Sequence, residues 1–380
     1  MEIKLKEAVE ELKRELGEKK ETKLRMMVGV DGFVDEICEV VDKRQDFEKY
    51  TKIVKIEDLG NRIVRASGMS TNIEVVNKQT KLGGNGPIFA NALLEYGVKL
   101  TYVGAIGKPD IHAVFKEMVS KCEEAYSICE PGHTDCLEFE DGKVMMGKHS
   151  SLKEITWESL KEVLGGAEKI AEYIKKSELF GMENWTMIPK MSEIWEGLIE
   201  EVFPMLGEGE KPLAFFDLAD PEKRTEQDKA RAMELISKFE DKFKVILGLN
   251  EKELYEIADT MKIGYDLKEE KGEVLRKTVM KVSEKLGIYC LVVHLMKEAC
   301  CCINGEYEAV DGPYCEKPVL TTGAGDNFNA GLCLAQALGL GAKSSLLMGV
   351  ASSGFYVRNG RSATIVEQMK FLEDWKNDSM

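Results

Sequence analysis

From residue 81 onward the chain alternates short apolar runs with helical patterns. KLTYVGAIG is followed by IHAVFKEMVSKC, PLAFFDLA by KARAMELISKF and KVILGLN by KELYEIA, and YCLVVHL comes later. That alternation predicts an α/β fold with a mostly parallel sheet and helices on both faces. Such a sheet places ligands at the carboxyl ends of its strands. Two stretches break the pattern. Residues 33–80 lie between a first strand, RMMVGVDG, and the segment GGNGP, and contain short strand-like pieces such as RIVRASG and NIEVVNK. Residues 134–148 read as a hairpin turning at Asp141-Gly142. Both suit a small β lid over one edge of the main sheet, and equally two surface insertions.

Charge and hydropathy exclude some classes of partner. The 67 acidic residues outnumber the 52 basic ones, a formal net charge of −15. A nucleic-acid or anionic-membrane surface needs a basic footprint, so neither is expected as the main partner. No apolar run approaches the length of a membrane-spanning helix, and the N-terminus lacks the apolar region of a signal peptide. Leu5, Val9, Leu12 and Leu16 instead fall at helical spacing, which predicts an amphipathic N-terminal extension over residues 1–25, packed on its own domain. Ten cysteines contain no C-x-x-C pair. Cys300, Cys301 and Cys302 are consecutive, so on a strand they alternate faces and cannot converge on one ion. They read as reduced, buried small hydrophobes of a cytoplasmic protein.

Thr321–Gly331, TTGAGDNFNAG, carries the chemistry. Small residues at Gly323, Ala324 and Gly325 let the backbone approach a ligand, and consecutive amides at a helix start suit a phosphoryl group. Asp326 can accept a hydroxyl proton, and positioning plus electrostatics is most of what phosphoryl transfer asks of a protein. The same turn can also merely cap a helix. No P-loop pattern occurs, and GAGDNF lacks the third glycine of a dinucleotide fingerprint.

This motif resembles the C-terminal signature of the ribokinase-like (phosphofructokinase B type) carbohydrate kinases. GGNGPIFANALLEYG at 83–97 is similar to the family's N-terminal Gly-Gly-x-Gly segment, Gly104 and Gly107 fit its Gly-x-x-Gly, and Asn250–Glu253 its Asn-x-x-Glu. The order and spacing agree across about residues 26–365. The resemblance implies a three-layer α/β/α sandwich with a small β lid, built from a kinase domain over 26–380 with lid segments at about 33–80 and 134–148. It implies ATP-dependent phosphorylation of a sugar or related polyol, with Asp326 as general base and Gly323, Ala324 and Gly325 as anion hole. Asp31, Asp35, Gly83, Gly84 and Asn85 fall to the substrate, and Asn250, Glu253, His294 and Thr322 to the nucleotide. Glu253 and Asn250 are expected to act on Mg²⁺ through water. Asn250 with Glu253 also fits a helix N-cap. Unpaired lid edges suit pairing with a second subunit in a homodimer.

Several positions depart from the family pattern. Leu320 replaces the Asp that helps hold a monovalent cation, leaving that activation in question. Ile88 stands where an Asn usually meets sugar hydroxyls, which predicts a less hydroxylated or partly apolar substrate and poor use of an unmodified pentose or hexose. His294-Leu295-Met296 replaces a Thr-x-Gly near the nucleotide, and Asp110–Ala113 ends without the usual glycine. Asn184-Trp185 follows an apolar run and suits either sugar stacking or an ordinary core Trp. The rival readings are a nucleoside kinase of the same fold and a ligand-binding pseudokinase without turnover.

Overall fold

Arg25–Val30, RMMVGV, is buried from its second residue onward and forms a middle strand, β1, of the main sheet. Met26 and Val28 face one layer of helices and Met27 faces the other, the period-2 alternation of a strand covered on both sides. The computed structural model describes residues 23–266 and 268–377, with Glu7, Glu10, Glu11 and Arg14. The predicted N-terminal helix therefore lies largely outside the described residues. The four that are described are helical. Glu10 accepts from Lys376 Nζ at 2.9 Å, and Glu11 accepts from Ser344 Oγ.

The remaining strands are β2 (Phe33–Arg44), β3 (Tyr50–Lys52), β4 (Val75–Gly83), β5 (Lys99–Gly104), β6 (Glu124–Ser127), β7 (Gly132–Phe139), β8 (Gly142–Lys148), β9 (Leu179–Met182), β10 (Leu213–Asp217), β11 (Lys244–Asn250), β12 (Cys290–His294), β13 (Glu298–Ile303) and β14 (Glu306–Asp311). The main sheet has nine strands in the order β14-β13-β12-β11-β10-β9-β1-β5-β6. It is parallel from β6 through to β12, and the hairpin β13-β14 closes one edge antiparallel. Helices cover both faces, which gives the α/β/α layering expected. Ile170, Ile194, Leu254 and Val279 belong to one layer, and Phe89, Leu93, Phe328 and Leu346 to the other. Cys300 and Cys302 enter the first core and Cys301 the second, as a strand requires, and all ten cysteines are free.

After Asp31-Gly32 the chain leaves this sheet and enters a second one. There β2 pairs antiparallel with β3 and β4 and parallel with β7, which pairs with β8. The two stretches that interrupted the alternation thus meet in one five-stranded sheet with its own small core of Cys38, Val40, Ile53, Leu59 and Leu137. Two local readings need correction. The β7-β8 turn falls at Glu140-Asp141, one residue earlier than expected. RIVRASG is not a strand: its first four residues complete helix α1 (Ile56–Arg65) and the rest form the turn after it. Glu57 and Asp58 begin that helix and Arg62 and Arg65 end it, which complements its dipole, and Leu59 anchors it on the sheet. Ile63 and Val64, which suggested a strand, point to solvent. Among the described residues no helix is long and apolar enough to cross a membrane.

The second sheet depends on few buried side chains, so it should open independently of the main sheet. Leu59→Ala removes its anchor at a typical cost of ~2–5 kcal/mol. Amide exchange over residues 33–83 should accelerate while β9–β12 stay protected. Equal acceleration in both sheets would show that they unfold as one unit.

Candidate active site

The carboxyl ends of the parallel strands converge on one floor. β1 runs into Asp31 and β9 into Glu183, while β10 ends at Asp217, β11 at Asn250 and β12 at His294. The Asp31 carboxylate is fully buried. Its Oδ1 accepts the Gly86 amide at 2.8 Å, and its Oδ2 accepts the Asn85 amide at 3.0 Å and Asn184 Nδ2 at 2.7 Å. Asp31 therefore satisfies the first amides of helix α2 (Asn85–Glu95), donors that no turn of the helix can reach. Burial raises it to about 6 against these hydrogen bonds. Both oxygens accept hydrogen bonds from inside the chain, so Asp31 supports the start of α2 and the Asn184 side chain. Asn85 likewise turns its amide inward and donates to Asp326 Oδ1 at 3.0 Å.

Asp326 lies in the first turn of helix α4 (Ala324–Ala337) and is buried. Burial raises its carboxyl well above the usual range, and the nearby Asp217 and Asp31 charges raise it further. Gly323 precedes the helix at φ 93°, where a Cβ would lie 2.7 Å from the Tyr356 hydroxyl. Tyr356 in turn donates to the Thr322 carbonyl at 2.8 Å, which fixes the turn. The Ala324 amide folds back on the Thr321 carbonyl at 3.1 Å. No acceptor among the described residues takes the amides of Gly323 and Gly325, and a Cβ at Gly325 would point into open space. Of the three expected anion-hole positions, two thus keep a free donor. Ile88 borders this turn, its Cγ2 3.2 Å from where a Gly323 Cβ would lie.

Asp35 projects from β2 opposite Lys81 of β4 and Thr134 of β7. Burial raises it, while Lys81 and a hydrogen bond from Thr134 act the other way. A Cβ at Gly83 would lie 2.3 Å from its carboxylate, so glycine makes the room Asp35 occupies. Gly84, at φ 96°, follows directly and borders Asp31.

Asn250 and Glu253 form a reciprocal cap on helix α3 (Glu251–Thr260). Asn250 Oδ1 accepts the Glu253 amide at 2.9 Å, and Glu253 Oε2 accepts the Asn250 amide at 2.8 Å. Glu253 Oε1 accepts the Asp220 amide at 2.9 Å. Each oxygen keeps a lone pair, a donor set that fits Mg²⁺ held through water rather than bound directly. His294 stacks on Phe328 with centroids 4.2 Å apart, and burial lowers it to about 4, so it is neutral. Met296 points to solvent. Trp185 is a core residue: it is buried, donates to Ser192 Oγ at 2.9 Å and carries the Arg224 guanidinium over its ring.

A family model for prokaryotic ketohexokinase matches residues 1–375. The chain belongs to the prokaryotic ketohexokinase family. It is a carbohydrate kinase, in keeping with the resemblance read from its motifs. A ketohexokinase of Haloferax volcanii is 29% identical over 354 residues, covering 92% of this chain and 91% of that one. Solved structures share the fold at lower identity. A ribokinase of Arabidopsis thaliana complexed with ribose and ATP is 17% identical with TM-score 0.62, over 92% of this chain and 98% of its own. An adenosine kinase of Sinorhizobium meliloti is 15% identical with TM-score 0.63, over 93% and 99%.

Two carboxylates of this ketohexokinase-family site escaped the sequence reading. Glu183 is 1% exposed, and its Oε1 has no hydrogen-bond partner. Burial, then Asp326, Asp217 and Asp31, raise it well above the usual range. Asp217 accepts the Ala219 amide at 2.8 Å and Asn329 Nδ2 at 3.0 Å. Burial, and then Glu253, raise it to about 8. Each directly follows or closes an apolar run, LFGM and LAFF, and the rule that ligands gather at strand carboxyl ends points to both. The folded state holds the Asp217 proton up to about pH 8, while an unfolded chain releases it near 4. Folded protein therefore binds more protons in that window, and stability falls as pH rises through it. Asp217→Asn should lose less melting temperature between pH 5 and 8 than the unaltered chain. Parallel curves for the two proteins would place the burden on other groups.

Proposed function

We propose that the chain transfers the γ-phosphoryl group of ATP to a hydroxyl of a ketohexose, with Asp326 as general base. The observation that carries this reading is the geometry around Asp326. It is a buried carboxylate at a helix start, held by Asn85, beside the free amides of Gly323 and Gly325. The hydroxyl oxygen forms a bond to the γ-phosphorus as its proton passes to Asp326. The bond from that phosphorus to the bridging oxygen breaks, and ADP leaves. The two amides and the positive end of α4 stabilise charge on the transferring group. Mg²⁺, when bound, neutralises phosphate charge, and Glu253 and Asn250 hold its water shell from the α3 cap. Leu320 offers no side-chain oxygen to a monovalent cation, and this reading requires none.

On the substrate side, Asp35 of β2 accepts hydrogen bonds from sugar hydroxyls, and Lys81 supplies a donor beside it. Glu183 offers a further buried acceptor. Ile88 forms an apolar wall next to the phosphoryl site. A ketohexose replaces the expectation that unmodified hexoses are poor substrates. It rests on membership of the ketohexokinase family and the likeness to the Haloferax volcanii protein. The second sheet acts as a lid: closing it excludes water, a competing phosphoryl acceptor. The outer edge of β8 has no strand partner among the described residues, and a second copy paired there suits this reading. ATP as donor fits a cytoplasmic enzyme. The nucleoside reading needs aromatic rings facing the substrate, and Trp185 is committed to the core.

A panel of ketohexoses, aldohexoses and nucleosides with ATP tests the substrate. Turnover should be highest with a ketohexose, and a clear preference for nucleosides would overturn the reading. On the preferred sugar, Asp326→Asn should lower kcat by about 10²–10⁴-fold with the fold kept. Because burial and like charges raise Asp326, the rate should climb with pH and level off once the carboxyl is ionised. Glu253→Gln should raise the Mg²⁺ concentration needed for half-maximal rate. An unchanged titration would remove Glu253 from the metal's shell.

A further inference from the structure

Among the described residues Arg224 makes no salt bridge, though the charge of Asp228 acts on it, and three of its five N–H groups are spent on backbone carbonyls. Its Nε donates to the Thr186 carbonyl at 3.1 Å. Its Nη2 donates to the carbonyls of Trp185 at 3.0 Å and Ile188 at 2.7 Å. The plane lies over the Trp185 ring, 4.7 Å from its centroid. One side chain thus gathers three carbonyls of a single loop. That loop also lies against the ends of β10, through Trp185 N–H to the Asp217 carbonyl at 3.3 Å and Thr186 N–H to the Leu218 carbonyl at 2.9 Å.

The loop begins at Asn184, whose φ of 62° is a left-handed conformation that only a well-fixed neighbourhood retains in a non-glycine residue. Its Oδ1 accepts the Met187 amide at 3.3 Å, and its Nδ2 reaches Asp31 Oδ2 at 2.7 Å. Asp31 holds the Asn85 and Gly86 amides, and Asn85 holds Asp326 Oδ1 at 3.0 Å. From Arg224 to Asp326 the connections are continuous, and each is a hydrogen bond or a short run of backbone.

We propose that Arg224 is a positioning residue for Asp326, acting through the 184–188 loop, Asn184, Asp31 and Asn85. The inference rests on the reading of Asp326 as the base. A guanidinium fits this task because its fixed fork meets several carbonyls in one plane while its face stacks on an indole, and an ammonium on a flexible stem does neither. If the clamp is lost, Asn184 is free to leave the left-handed region and its bond to Asp31. The Asp31 carboxylate then rotates, α2 loses its capped start, and Asn85 no longer fixes the carboxylate that must meet the sugar hydroxyl. Reacting groups displaced by about 1 Å lose on the order of 10²-fold in rate.

Arg224→Lys, Arg224→Ala and Asn184→Ala test this. Loss of the clamp should speed amide exchange at Asn85 and Gly86 by about tenfold or more, the scale of a lost hydrogen bond to a charged group. Exchange within β11 and β12 should not change. On the preferred sugar kcat should fall about 10–100-fold, with KM for ATP unchanged. Arg224→Ala combined with Asn184→Ala should lose little more than the worse single variant, because both break one chain. Should the Arg224 variants fail to fold, Asn184→Ala carries the exchange and kcat measurements by itself. Unchanged exchange at Asn85 and Gly86, or fully additive losses of kcat, overturns the proposal. Asp326→Asn measured alongside separates the two claims. If it turns over at the normal rate, the base is wrong whatever Arg224 does. If it is inactive while the Arg224 and Asn184 variants retain full kcat, only the positioning chain fails.

Discussion

The Asp31 carboxylate occupies the one point where β1, the start of α2 and the 184–188 loop meet. Taking a carboxylate fully out of water is costly, and three directed donors offset that cost. The arrangement serves both sides. The first amides of α2 have no helical acceptors and would themselves be buried without partners, and the positive end of the helix favours a negative charge there. The consequence reaches Asp326, because the amide that lies beside Asp31 belongs to Asn85, whose side chain holds the Asp326 carboxylate.

A floor that carries Asp31, Glu183, Asp217 and Asp326 together is electrostatically unfavourable. Like charges in a dry setting push one another's proton affinity up, so the four cannot all be ionised near neutrality. A stable core would not choose this composition. A phosphotransferase gains from it, since a carboxyl with raised proton affinity takes a hydroxyl proton more readily than an ordinary one. The closed part of the floor is held by rigid strands and helix starts. The second sheet instead rests on a small core of its own, so its local stability is set apart from that of the floor.

Some of this was legible in the chain order. Alternating apolar and helical runs are local properties, and the parallel sheet with two helical layers followed from them. Thr321–Gly331 announced a helix start with free amides, because glycine at a left-handed position and a carboxylate one step into a helix are also local. Asn250 and Glu253 illustrate two readings of one pattern, since three residues of spacing suit both a cap and a metal's outer shell, and the structure shows the cap. RIVR misled because β-branched residues on the exposed face of a short helix imitate a strand.

What the sequence could not reveal depends on contacts between distant positions. Asn184 meets Asp31 across 153 residues, and Asn85 meets Asp326 across 241. No periodicity encodes such a meeting. It arises when β1 and β9 lie side by side and α2 and α4 both begin at their carboxyl ends. The sequence by itself determined most strands, the helix starts and the glycine-rich turn before α4, because those are set by backbone preference and by apolar spacing. Only the tertiary structure decided that Asp31 takes its donors from the start of α2 and from Asn184, that Glu183 and Asp217 share the floor, and that Arg224 grips the 184–188 loop. Those roles are fixed by burial and by which donors reach which lone pairs, and both exist only once the layers have packed.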